Sequence, residues 1–307
     1  MNAKTLHLLS EFYRTPWALL PATLQMARMV IERWASGEKL PEEEVRTIAE
    51  SRPARSTREF EGMIAVLPIF GILGHRARLV KDISSGVGTS TELLALAFRA
   101  AVNDPNVSAI VFDVDSPGGS TFGADELASE IFAARGVKPI IASVNSMAAS
   151  GAYWIASAAD EVVITPGGVA GSIGVWTAHE DWSKFLDAKG VRVTLMSAGR
   201  YKVEGNAYGP LEDEARGAAQ ALVDKYYNLF VRAVRRNRGA EDLKAVREGY
   251  GEGRMLIAQD AVKEKLADRI ATFDEVIGEL QAKFAKMKEK RRYRTQDERA
   301  LRIAAAR

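Results

Sequence analysis

Ser150, in the stretch "SMAASGAYW" from Ser146 to Trp154, stands at the seam between a run of tiny residues and an aromatic pair. Small residues before it allow the close approach that a sharp strand-to-helix turn needs, and a hydroxyl at a helix start lies near unpaired N–H groups. That is a setting for a nucleophile, and equally for a helix N-cap, a common role for serine. It is not the G-x-S-x-G elbow of the α/β-hydrolases. A second segment, "DSPGGS" from Asp115 to Ser120, places Gly118 and Gly119 after an apolar run and ahead of a helix. Exposed backbone N–H groups there suit an oxyanion or a phosphate, although the same residues also make ordinary turns.

A serine nucleophile needs a base. His179, 29 residues beyond Ser150, sits in the polar stretch "TAHEDW" and reads as a partly exposed loop histidine; His75 and His7 are poorer candidates. A lysine can take the role when desolvation lowers its pKa enough to leave it neutral. Lys202, in "SAGRYKVEGNAYGP", is the best placed, in a glycine-flanked loop after "VRVTLMS", which reads as a strand of the same sheet system. Most lysines, however, are simply solvated. Ser172, between glycines in "AGSIGV", reads on its own as a turn serine.

The elements that must position these residues alternate. "IAVLPIFGIL", "VSAIVFDV", "KPIIASV" and "EVVI" are apolar runs separated by "TSTELLALAFRAAVND", "GADELASEIFAARG" and "SGAYWIASAAD", which carry helical spacing or helix signals. Continuous apolar strands with helical crossovers predict an α/β fold with a parallel sheet, and loops at the C-terminal strand ends are where chemistry is expected. A long helix is expected from Glu212 to about Arg238, then a short strand and helix in "RMLIAQDAVKEKLADRI" and a final helix running into a basic tail. Residues 1–62 read as a helical arm and linker, 63–272 as the compact domain, and 273–307 as the helix and tail.

Composition narrows the chemistry. The 307 residues, 47% hydrophobic, suffice for a sizeable core. The absence of cysteine excludes disulfides, thiolate metal sites and a cysteine nucleophile, and three histidines leave little for a metal cluster, so no metal or cofactor is expected. The net charge of +2 hides a local excess of seven positive charges over 281–307. With Tyr293 the only aromatic in "KMKEKRRYRTQDERALRIAAAR", this reads as a solvated helix rather than a nucleic-acid surface. The apolar stretch from Trp17 to Ile31 is broken by Pro21, Gln25 and Arg28, too short and polar for a membrane anchor; a soluble, cytoplasmic protein is expected.

Taken in order and spacing, "DSPGGS", "SMAASGAYWIASAAD", "TPGGVAGSIGV" and "SAGRYKVEGNAYGPL" resemble the signal-peptide-peptidase-A family of serine peptidases over roughly Ile64 to Ile270. The resemblance implies a ClpP/crotonase-like fold and a Ser-Lys dyad. Ser150 matches the nucleophile, Lys202 the general base and Ser172 the hydroxyl that orients the lysine; Gly118, Gly119 and Gly151 match the backbone N–H donors of the oxyanion hole. The "YKVEGNAYGPL" segment looks most like the phage branch, whose members act as capsid-assembly, or head maturation, proteases. That branch implies peptide or protein substrates, capsid or scaffold proteins among them, and a homo-oligomer. The alternatives are a bacterial protease that degrades signal peptides and a non-catalytic assembly scaffold that keeps the fold.

Overall fold

The computed structural model of the chain describes residues 15–23, 58–60, 64–76 and 88–287. The one or two helices expected within residues 1 to about 50 lie outside the described residues apart from a helical turn at 21–23, as do His7 and the basic tail beyond residue 287. In chain order the strands and helices are β1 (Trp17–Leu19), β2 (Arg58–Phe60), β3 (Ile64–Phe70), β4 (Ile72–Gly74), β5 (Gly88–Ser90), α1 (Thr91–Asn103), β6 (Ala109–Ser116) and β7 (Gly118–Ser120). Then come α2 (Ala124–Ala133), β8 (Ile140–Ala149), α3 (Gly151–Ala156), β9 (Glu161–Ile164) and β10 (Val169–Gly171). The remainder is α4 (Ser183–Ala188), α5 (Asp213–Arg238), α6 (Leu243–Gly249), β11 (Met255–Ile257), α7 (Ala258–Lys263), β12 (Arg269–Ile270) and α8 over 273–287.

The larger sheet runs β11-β10-β8-β6-β3-β2, with β9 also on β8 and β12 on β9. Its interior pairs are parallel, and the outer pairs β2–β3 and β10–β11 are antiparallel. Both faces are covered, which is why its strands read as continuous apolar runs. Ala65, Leu67, Ile110, Phe112 and Ala142 turn toward the main core, while Ile64, Val66, Val111 and Ile141 turn toward Val276, Leu280 and Phe284 of α8. Helix α1 shows how sequence sets an element. Ser90 Oγ accepts from the Leu93 N–H at 3.3 Å as an N-cap, and Leu94, Phe98 and Ala101 recur at helical spacing on the buried face.

A smaller sheet, β1-β7-β4-β5, lies over the C-terminal ends of the large one. Ser116 links the two: its hydroxyl donates to the Gly71 carbonyl at 2.6 Å and accepts from the Gly118 N–H at 3.2 Å. Along β6 and β8 the register slips just before the site. Val114 faces Val144 but Ser116 faces Ala148, so β8 carries two residues more than β6 over this interval.

Two expectations are corrected. Residues Val191–Ser197 form no strand: the segment is irregular and every position is exposed, Met196 at 92%. Its alternation of Val191, Val193 and Leu195 suits an edge strand, but a strand requires a neighbouring backbone, and among the described residues none pairs with it. Lys202 therefore does not follow a strand of the sheet. Conversely, Trp17–Leu19, read as part of a helical arm, is strand β1, and Arg58–Phe60, read as linker, pairs antiparallel with β3. Pro16 and Pro21 bracket β1, and a residue before proline is biased toward extended backbone.

Candidate active site

Ser150 joins β8 to α3 with φ 52° and ψ −118°, a conformation that strains any residue with a Cβ. The strain is held from both sides: the Ser150 N–H donates to the Gly171 carbonyl at 2.8 Å, and its carbonyl accepts from the Trp154 N–H at 2.9 Å. The hydroxyl does not cap α3; it donates to the Gly174 carbonyl at 3.3 Å. The capping role that the sequence left open is not the one Ser150 fills.

Helix α3 is wholly buried behind it. Trp154 stacks on Phe230 of α5 with ring centroids 4.5 Å apart and planes within 5°. The Tyr153 hydroxyl donates to the Leu266 carbonyl at 2.9 Å, and burial pushes that phenol far above its ordinary pKa, so it remains a neutral donor. At the far end of α3, Arg135 donates to the carbonyls of Ser157, Ala158 and Ala159 and to that of Asn237. These ties fix the helix, and with it the turn that presents Ser150.

The glycine strand β7 lies alongside. The Gly118 N–H is taken by Ser116 Oγ, so of the expected oxyanion donors Gly119 and Gly151 are the ones whose N–H groups face the cleft, that of Gly119 meeting the Ala18 carbonyl of β1. Gly151 opens α3, so its N–H has no acceptor within the helix. Both glycines of β7 are required by crowding: a Cβ on Gly119 would lie 2.1 Å from the Leu73 carbonyl oxygen, and one on Gly118 2.2 Å from that of Ala18.

Ser172 follows β10 with φ 53° and is nearly buried. Its N–H donates to the Arg254 carbonyl at 2.8 Å, and its hydroxyl makes no hydrogen bond among the described residues. The structure thus gathers Ser150, Ser172, Gly118, Gly119 and Gly151 at the ends of β8, β10 and β7. It does not bring Lys202 to them in this conformation: Lys202 is exposed in a turn, its N–H donates to the Gly199 carbonyl, and its amine makes no hydrogen bond or ion pair among the described residues. His179 Nε2 is engaged with the Asn206 carbonyl at 2.9 Å.

Sequence reasoning missed the residues that line the other side of the cleft. Strand β1 pairs antiparallel with β7, Ala18 opposite Gly119, and Trp17 bridges to Trp176 through paired backbone hydrogen bonds of 2.9 and 3.0 Å. Past Gly174 a cavity of about 540 Å³ opens, lined by Pro16, Trp176, His179, Trp182, Glu204 and Leu211 among others. The closely spaced prolines of "TPWALLP" were the available signal.

Residues 133–287, half of the chain, match the family model described as peptidase family S49. The chain belongs to this family. Ser150, Ser172 and Lys202 all lie within the matched residues, while Gly118 and Gly119 precede them. Among S49-like relatives, "Capsid assembly protease C" of Escherichia phage lambda is 34% identical over 226 residues, covering 74% of this chain and 50% of the relative. "Head-tail preconnector protein GP5" of Enterobacteria phage P21 is 30% identical over 292 residues, 90% of this chain and 57% of its own. "Protease 4" of Haemophilus influenzae is 29% identical over 187 residues, 61% of this chain and 30% of its own. The chain spans about half the length of the two phage relatives. Similar solved structures include a ClpP1 variant from Listeria monocytogenes, at 12% identity and TM-score 0.41 over 67% of this chain and 91% of its own. An enoyl-CoA hydratase/isomerase family member aligns at 14% identity and TM-score 0.43 over 76% and 75%. Among the described residues, no helix is long and apolar enough to cross a membrane.

Proposed function

We propose that the chain is a serine endopeptidase with Ser150 as nucleophile and Lys202 as general base. The observation that carries this reading is the backbone of Ser150, held at a strained φ of 52° with its hydroxyl excluded from helix capping and set beside Gly119 and Gly151. Strain of that kind persists only where the surroundings enforce it, and it clusters at functional sites. In the proposed reaction the Ser150 proton passes to the neutral Lys202 amine as Oγ bonds to the scissile carbonyl carbon. The N–H groups of Gly119 and Gly151 hold the oxyanion, and Gly118 ties β7, the strand of Gly119, to Ser116. The carbon–nitrogen bond then breaks, the leaving amine takes the proton from Lys202, and water hydrolyses the ester to free Ser150. Ser172 orients the amine.

An amine works as a base only when desolvated, and Lys202 is exposed in the single chain. We infer that copies of the chain associate through the exposed Val191–Met196 segment, and that this assembly folds Lys202 over Ser150. The role that best fits is the processing of scaffold or capsid proteins in phage head maturation, in host cytoplasm or an assembling procapsid; the likeness to Capsid assembly protease C supports it. A peptide library assayed with wild type, Ser150→Ala and Lys202→Ala tests the dyad. Both variants are expected to lose at least 1000-fold in activity while keeping wild-type circular dichroism. Turnover that survives Ser150→Ala sinks the mechanism, and a wild type inactive on every peptide leaves the scaffold alternative.

A further inference from the structure

The cleft beside Ser150 already holds an extended peptide, supplied by the chain itself. Strand β1 lies between β7 and Trp176, the two-sided main-chain pairing by which an added strand is bound. The Thr121 N–H donates to the Pro16 carbonyl at 3.3 Å, and the Leu20 N–H to the Pro117 carbonyl at 3.1 Å. In an antiparallel ladder hydrogen-bonded pairs alternate, so the pair between these two, Ala18 and Gly119, is also bonded, and the Ala18 carbonyl accepts from the Gly119 N–H. The same oxygen lies 3.2 Å from where a Cβ on Gly151 would stand. One carbonyl of the chain thus sits against both glycines assigned above to the oxyanion. On the far side, Trp176 Nε1 donates to the Leu19 carbonyl at 2.8 Å, and Trp17, Ala18 and Leu19 are all buried.

We propose that Pro16–Leu20 is bound as the peptidase's own first substrate and that Ala18–Leu19 is the bond it cuts. The inference rests on the dyad proposed above. Ala18 is fully buried, its carbonyl oxygen lies against the bare Cα positions of Gly118 and Gly151, and that carbonyl is already polarised by the Gly119 N–H. When Lys202 reaches Ser150, Oγ adds to the Ala18 carbonyl carbon and the bond to the Leu19 nitrogen breaks. The Leu19 amine takes the proton from the lysine, and water releases residues 1–18 with a carboxylate at Ala18. Until then the cleft is filled by this strand, and an outside peptide must displace it.

The test uses the full chain as wild type, Ser150→Ala and Lys202→Ala, the last altering an exposed side chain that the fold does not need. Intact mass and N-terminal sequencing are followed alongside turnover of a reference peptide from the library. The expected result is a new N-terminus at Leu19 in wild type, gained as peptide turnover rises, with both variants keeping the bond. Wild type that turns over the peptide with Ala18–Leu19 intact overturns the inference and spares the dyad. A Leu19 N-terminus in either variant also overturns it, since the cut then comes from elsewhere. Wild type inactive on all peptides with the bond intact removes the proposed function, and this inference falls with it.

Discussion

At Ser150, reactivity and stability pull in opposite directions. The residue occupies a backbone conformation that costs a side-chain-bearing residue about 1–3 kcal/mol. Glycine relieves that strain, while alanine retains it and merely removes the hydroxyl. Ser150→Gly is therefore expected to be more stable than Ser150→Ala by about 1 kcal/mol in urea denaturation, the relief being offset in part by the greater freedom of glycine in the unfolded chain. Both variants are expected to be inactive. If the alanine variant proves the more stable, the strain is not stored at this residue. Ser172 shares the left-handed φ, and at neither serine could that conformation be read from the sequence, where "AGSIGV" reads simply as a turn.

Among the elements, α3 is too short to hold its own position, and its ends are fixed by other parts of the fold. Arg135, from just beyond α2, satisfies four carbonyls that would otherwise face the interior unpaired. Arg135→Met keeps the length of the side chain and removes the donors. A loss of about 2–4 kcal/mol in guanidinium denaturation is expected, with a fall in activity from a loosened Ser150 turn. The same scale shows what the sequence conveys. The parallel strands and their helices were legible because burial on both faces leaves continuous apolar runs, and Ser150 and the glycines of β7 were legible because they sit directly at strand ends. Strand β1 was not, because its partner lies about a hundred residues further on and its three residues carry no period of their own. Val191–Ser197 carries a strand's alternation, but a periodic pattern does not create a partner to pair with.

Across the whole molecule, the C-terminal part is clamped to the sheet by charge. Asp268 accepts from Arg238 at 2.7 Å and caps the Val162 N–H at 2.7 Å. Burial raises its pKa, but the hydrogen bonds and the positive charge of Arg238 outweigh that and hold the carboxyl below the usual range. A carboxyl with a lowered folded-state pKa stabilises the fold above its ordinary pKa, and that contribution is lost as pH falls through the lowered value. Thermal unfolding followed from neutral to acidic pH is expected to show a decline that Asp268→Asn flattens, the variant being less stable than wild type at neutral pH and approaching it in acid. Parallel curves for the two proteins would remove Asp268 from the acid response. The two residues by which β8 outruns β6 between Val114 and Ser116 are absorbed before Ala148, which still stands opposite Ser116. They fall between the part of β8 that pairs with β9, Ile141 to Val144, and the part that pairs with β10, Met147 to Ala149. One strand thus serves two neighbours in turn, and a chain shortened by those two residues would keep Ser150 in register with β6 but lose the slack by which β8 changes partners on its way there.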